Sequence, residues 1–270
     1  VVKLKDAILE LELDKLIKLN DIIYNSTNFE EANINAMMLL IEKINELNAS
    51  GEYRTEEPSS SSSESYSEVS IQEIGETDSE KPLHIVTLNM NDSSDNFENL
   101  RQDNRIILIN NGIHPGESDG IDATMMLYRD IVKGKIEAPK NTIIVTIPIY
   151  NVGGSLNRNS GTRTNQNGPK EYGFRGNARN FDLNRDFIKS DTKNAKAFTE
   201  IFHLVQPDVF IDNHVSNGAD YQYTLTHLFT QHNKLGGKLG MYLHAEIMPK
   251  LEKKLEAKSW DITPYVNLFN

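Results

Sequence analysis

Cysteine is absent from the 270 residues. Its absence excludes disulfide frameworks, thiolate-ligated zinc and thiol nucleophiles together. The compartment stays open, because a cysteine-free chain persists in reducing and oxidising surroundings alike. Lys and Arg number 28 against 39 Asp and Glu, a formal net charge of −11, and no basic run offsets that balance. A phosphate-backbone binder is therefore disfavoured and no nucleic-acid partner is expected. Long apolar runs are missing too. The longest, such as residues 143–149, fall far short of the roughly 20 residues that a membrane span requires. No signal peptide is visible, but the first residue is Val1 rather than Met, so nothing follows from that. What is present is 38% hydrophobic and 25% charged, enough for one sizeable core.

Composition divides the chain. Residues 1–57 carry apolar positions at helical spacing (Leu9, Leu13, Leu16, Ile17, then Met37, Met38, Ile41, Ile44) and predict a helical N-terminal segment. Residues 58–68, rich in serine, have little to bury and read as a linker or loop. From Val69 onward the texture changes. Residues 69–74 alternate apolar and polar, and 84–89 (HIVTLN) form a second β-rich run. Residues 105–110 (RIILIN) and 143–149 (IIVTIPI) are continuously apolar, as expected of central strands covered on both faces. Helices are predicted over 122–132 and 193–205, a strand over 209–212 (VFID), and one long charged helix over 234–257. This alternation predicts an α/β domain over 69–270, with a mixed, mainly parallel central sheet and helices on both faces.

In such sheets ligands bind beyond the carboxyl ends of the strands. RIILIN is followed by Asn111-Gly112-Ile113-His114-Pro115-Gly116-Glu117, and VFID by Asn213-His214. Two imidazoles and a carboxylate at two strand ends suit zinc and leave a fourth position for water. Pro115 biases His114 toward extended backbone, while Gly116 would permit the bend that returns Glu117 to the same side. His84, His203, His227, His232 and His244 have no such partners and read as ordinary surface residues. Between the strand ends lies a Gly- and Asn-rich loop, 151–180, carrying Arg158, Arg163, Arg175 and Arg179, then Asn184-Arg185. Loops this long are usually functional. The arginines would make a cationic pocket for an anionic group, a carboxylate foremost.

HPGE (114–117), DLNRDF (182–187) and a strand ending in Asn213-His214-Val215-Ser216 together resemble the zinc metallocarboxypeptidases, the carboxypeptidase A-like peptidases. The resemblance covers about three quarters of the chain, from Val69 onward. It implies one Zn2+ per chain held by His114, Glu117 and His214, a His2Glu set of the kind known in carboxypeptidase A. It further implies that Asn184 and Arg185 grip the C-terminal carboxylate of a peptide substrate. Arg163 would polarise the scissile carbonyl, with Arg175 as reserve and a further substrate-binding candidate. In that family zinc activates a water and polarises the carbonyl, and an arginine stabilises the oxyanion.

The family's general-base glutamate has no clear counterpart. Glu246, Glu252 and Glu256 lie on a Lys- and Glu-rich stretch that reads as a solvated face, and 261–270 holds no further clear strand. A chain truncated at its C-terminus is expected on that ground. Two alternatives stay open: a zinc deacylase of N-acyl amino acids on the same scaffold, and a non-catalytic domain that binds peptide termini. Side-chain specificity and oligomeric state cannot be read. A secreted or periplasmic location rests on the resemblance alone.

Overall fold

The structure, a computed structural model, describes residues 66–91, 96–163, 170–216 and 221–265. The helical reading of 1–57 and most of the Ser-rich tract lie outside the described residues. Two compact units are present, one among residues 66–216 and one among 221–265.

The first unit is built on a five-stranded sheet. Its strands are β1 (Val69–Glu76), β2 (Pro82–Leu88), β3 (Arg105–Asn110), β4 (Thr142–Ile147) and β7 (Val209–Asp212), in the order β1-β2-β4-β3-β7. β1 pairs antiparallel with β2 and β2 with β4, whereas β3 runs parallel to both β4 and β7. The sheet is mixed as expected, with its parallel half confined to the strands that carry the HPGE and Asn-His segments. β3 and β4 are buried almost throughout, which explains their unbroken apolar sequence. Ile106, Leu108, Ile143 and Val145 share one core with Ala197, Phe198, Ile201 and Val205 of helix α4 (Lys193–Val205). The opposite face lies under helix α2 (Asp119–Val132), whose Tyr128 hydroxyl bonds the Ile144 carbonyl (3.0 Å) and Thr146 Oγ1 (2.8 Å). Each fully buried aliphatic side chain here contributes roughly 1.5–3 kcal/mol.

Helix α1 (Phe97–Asp103), capped by Asn96, precedes β3 and escaped the sequence reading because it is short. The segment 151–180 is more structured than a plain loop. Its described parts hold α3 (Val152–Leu156) and the short paired strands β5 (Arg158–Asn159) and β6 (Tyr172–Gly173).

In the second unit, β8 (Leu225–His227) pairs in parallel with β9 (Ile262–Pro264), a strand not anticipated near the end of the chain. The single long helix expected over 234–257 is instead α5 (His232–Leu235), α6 (Gly237–Tyr242), a π-helical turn (Leu243–Ile247) and α7 (Met248–Glu256). Gly236 and Gly237 both adopt positive φ (64° and 53°), so regular helix cannot pass through them.

One buried carboxylate anchors α4. Asp186 accepts from the backbone N–H groups of Asp191 and Thr192 (both 3.0 Å) and from the Thr192 hydroxyl (2.6 Å). Thr192 in turn caps the helix by accepting from the Ala195 N–H (3.0 Å). Burial alone would raise the Asp186 pKa, but these donors outweigh it and hold the carboxyl below its ordinary 3.8. Stability from a depressed carboxyl is present above that ordinary value and lost as pH falls through the folded one. Asp186→Asn is expected to cost about 1–2 kcal/mol at pH 7 and to soften the loss of stability below about pH 4. Chemical denaturation from pH 7 to 2.5 checks this, and identical acid profiles for variant and parent would contradict it.

Candidate metal centre

β3 delivers its chain to a tight turn. The Glu117 N–H donates to the His114 carbonyl (2.8 Å), closing His114-Pro115-Gly116-Glu117 on itself. Proline suits the second position of such a turn. Gly116 is needed for a different reason from the one expected, since its φ is not among the positive values. A Cβ there would come within 2.9 Å of Arg163 Cγ and 3.2 Å of the Gly173 carbonyl, so glycine admits the neighbouring chain. Asn151, wholly buried, fastens the surroundings. Its amide donates to the carbonyls of Ile113 (3.4 Å) and Arg175 (3.0 Å), and its Oδ1 accepts from the Gly154 N–H (2.8 Å).

β7 lies beside β3 and brings His214 to the same place. His114 Nδ1 stands 3.1 Å from Glu117 Oε1 and His214 Nδ1 stands 3.0 Å from Glu117 Oε2, with ring centroids 5.2 Å apart. One ligand atom from each of the three residues lies within 4.8 Å of the others. Two ligands about 2.1 Å from a tetrahedral ion sit roughly 3.4 Å apart, close to the separation of Glu117 from each imidazole. His114 and Glu117 are only 2% and 3% exposed, while the His214 side chain keeps 33% of its surface at the rim.

Each imidazole also meets a second carboxylate on its far side. His114 Nε2 lies 3.0 Å from Asp182 Oδ1, and His214 Nε2 lies 3.0 Å from Asp212 Oδ2. Neither aspartate was given a role from sequence. The available signals were that Asp182 opens DLNRDF and that Asp212, two residues before His214, shares its side of an extended chain.

Arg163 donates through Nη1 to Glu117 Oε1 (2.9 Å). Arg175 donates through Nε (3.1 Å) and Nη2 (3.0 Å) to Asp182 Oδ2, with Nη1 4.0 Å from Glu117 Oε1. Asn184 and Arg185 occupy the 3-10 turn Leu183–Arg185 directly after Asp182. The Arg185 guanidinium is exposed and donates to the Asn184 carbonyl (2.9 Å). Arg158 bonds the Glu171 carbonyl, and Arg179 faces Asp78 and the Phe181 ring. Of the five arginines expected to form a cationic pocket, Arg163 and Arg175 reach the cluster.

The electrostatics follow from these contacts. Burial would push the Glu117 carboxyl up, but hydrogen bonds from His114 and His214, the charge of His114 and the Val215 N–H (3.0 Å) prevail and hold it far below its usual range. Burial would lower His214, yet Asp212 and Glu117 raise it to about 9. Asp182 is likewise depressed, with burial opposed by His114 and Arg175. The donor set fits a zinc ion. Glu117 accepts at each Nδ1 as Asp182 and Asp212 do at each Nε2. A cation beside ionised Glu117 would take the place of the Nδ1 protons, while the aspartates keep N–H at each Nε2.

Two imidazoles and a carboxylate gathered at the ends of two parallel strands form a group that could hold a metal ion. Residues 60–208 match the zinc carboxypeptidase family, more than half of the chain, and the chain belongs to that family, whose members are zinc-dependent metalloproteases. Asp212 and His214 lie just beyond the matched segment. A solved Burkholderia mallei structure assigned to the carboxypeptidases is 15% identical, with a TM-score of 0.52, covering 75% of this chain and 47% of that one. A metallo-carboxypeptidase from Burkholderia cenocepacia is 18% identical over 57% of this chain and 38% of that one, with a TM-score of 0.40. Carboxypeptidase A from Helicoverpa armigera is 15% identical over 96% of this chain and 64% of that one, with a TM-score of 0.48. The chain thus spans less than two thirds of the length of these relatives. No curated protein matches it.

Proposed function

We propose that this chain is the metal-holding part of a zinc-dependent metallocarboxypeptidase, with His114, Glu117 and His214 as the ligands of one Zn2+. The convergence of their ligand atoms within 4.8 Å of one another, in a member of the zinc carboxypeptidase family, carries this reading. Zinc held there would supply Lewis acidity toward a water and the scissile carbonyl. The chain's own groups do the rest. Arg163, beside Glu117, is suited to steady negative charge developing on the carbonyl oxygen. Asn184 and Arg185, with Arg175, are assigned to the C-terminal carboxylate of the peptide, for which a planar guanidinium is the fitting partner. Around the imidazoles, the carboxylates of Glu117, Asp182 and Asp212 face the guanidiniums of Arg163 and Arg175.

The expected result is one zinc per chain by elemental analysis, falling to background in His114→Ala and after chelation. Equal zinc in variant and parent would overturn the ligand assignment. Parallel assays of blocked dipeptides and N-acyl amino acids, on a protein of the length of the solved relatives, separate peptide hydrolysis from deacylation.

A further inference from the structure

His114 is packed in the interior, but His214 stands at the rim, two residues beyond the last residue of a four-residue strand. A half-exposed histidine outside regular structure keeps several rotamers, and each misdirected rotamer subtracts from metal affinity. Something must hold its ring. Asp212 Oδ2 meets His214 Nε2 at 3.0 Å, on the side opposite Glu117. Asp212 is itself held. Its Oδ1 accepts from the amide of Asn110 at 2.8 Å, and Asn110 is wholly buried and directly opposite it in the parallel register of β3 and β7. A second rung follows, in which Asn213 Nδ2 donates to Asn111 Oδ1 (2.8 Å). The strand that supplies one candidate ligand is therefore laced by side chains to the strand that leads to the other two.

We propose that Asp212, clamped by Asn110, is the positioning residue that turns Nδ1 of His214 toward the metal. This rests on the zinc reading given above and extends it to a residue that touches no ligand-facing atom. The Asn110 Oδ1 is buried with no hydrogen-bond partner among the described residues. A rotated Asn110 amide could thus serve an asparagine at 212, so Asp212→Asn would fold and still offer an oxygen to Nε2. Asp212→Ala offers none.

The experiment titrates metal-free parent, Asp212→Ala and Asp212→Asn with Zn2+ against a chromophoric chelator, and records the visible spectrum of each with Co2+. Melting of the metal-free forms controls for fold. Asp212→Ala should bind Zn2+ about 10–100-fold more weakly, the range found when outer partners of metal-bound histidines are removed. Asp212→Asn should recover most of that loss, and the Co2+ spectrum should change in the alanine variant alone. Asp212→Ser, too short to reach the ring, repeats the test should the alanine variant fail to fold. Parent-like affinity in Asp212→Ala, or an asparagine variant no better than alanine, overturns the positioning role and leaves the ligand assignment standing. A parent that takes up no zinc overturns the ligand assignment, and the positioning role falls with it.

Discussion

Glu117→Ala is expected to abolish zinc binding and to destabilise the metal-free protein by about 3–5 kcal/mol, the cost of breaking a buried charge pair. The carboxylate is a hub as well as a candidate ligand. It faces both imidazoles, accepts from Arg163 Nη1 (2.9 Å) and takes the Val215 N–H (3.0 Å). The Arg163 side chain is only 9% exposed, so removing the carboxylate leaves a guanidinium with little water to replace it. Burial of Glu117 is unfavourable in itself, but the hydrogen bonds it collects are the larger effect, because its carboxyl remains ionised well below the usual range. Glu117→Gln separates the two roles. It keeps shape and an acceptor, and should melt closer to the parent while binding zinc much more weakly. Melting in excess chelator and zinc competition measure each part. An alanine variant as stable as the parent would show that the hub is dispensable.

Gly120→Ala is the second large effect. On an exposed helix this change would stabilise by up to about 1 kcal/mol through backbone propensity. Here sterics win. A Cβ at 120 would lie 2.5 Å from Asn213 Cβ and 2.6 Å from Asn111 Oδ1, inside the rung that ties β3 to β7. Overpacking of this kind costs about 1–3 kcal/mol. A net loss of about 1–2 kcal/mol is expected, together with weaker zinc binding, because Asn213 precedes His214. Denaturant unfolding and zinc titration check both. A variant more stable than the parent would mean that the first turn of α2 can withdraw from the strand ends without penalty.

Much of this architecture is legible in one dimension. RIILIN is strand β3 and α4 occupies 193–205 as their patterns predict, because burial on both sheet faces or on one helical stripe leaves a record in the sequence. β7 also occupies 209–212 as expected, although it is a partly exposed edge strand. Where the period is short or interrupted the record fails. β9 has three residues, and the charged stretch 234–257 looks helical throughout until Gly236 and Gly237 take left-handed backbone.

The site divides along the same line. By itself the sequence determined the kinds of donor and their place at strand ends, because a histidine just past a sheet strand can only emerge at that edge of the sheet. Tertiary structure alone decided which ring nitrogen faces inward, that Asp182 and Asp212 stand behind the two imidazoles, and that Arg163 and Arg175 turn inward while Arg158, Arg179 and Arg185 do not. The reason is geometric. Spacing along a chain constrains neighbours a few residues apart, whereas Asp182 meets His114 across 68 positions from the start of a 3-10 turn and Glu117 meets His214 across 97, a distance closed by the parallel register of β3 and β7.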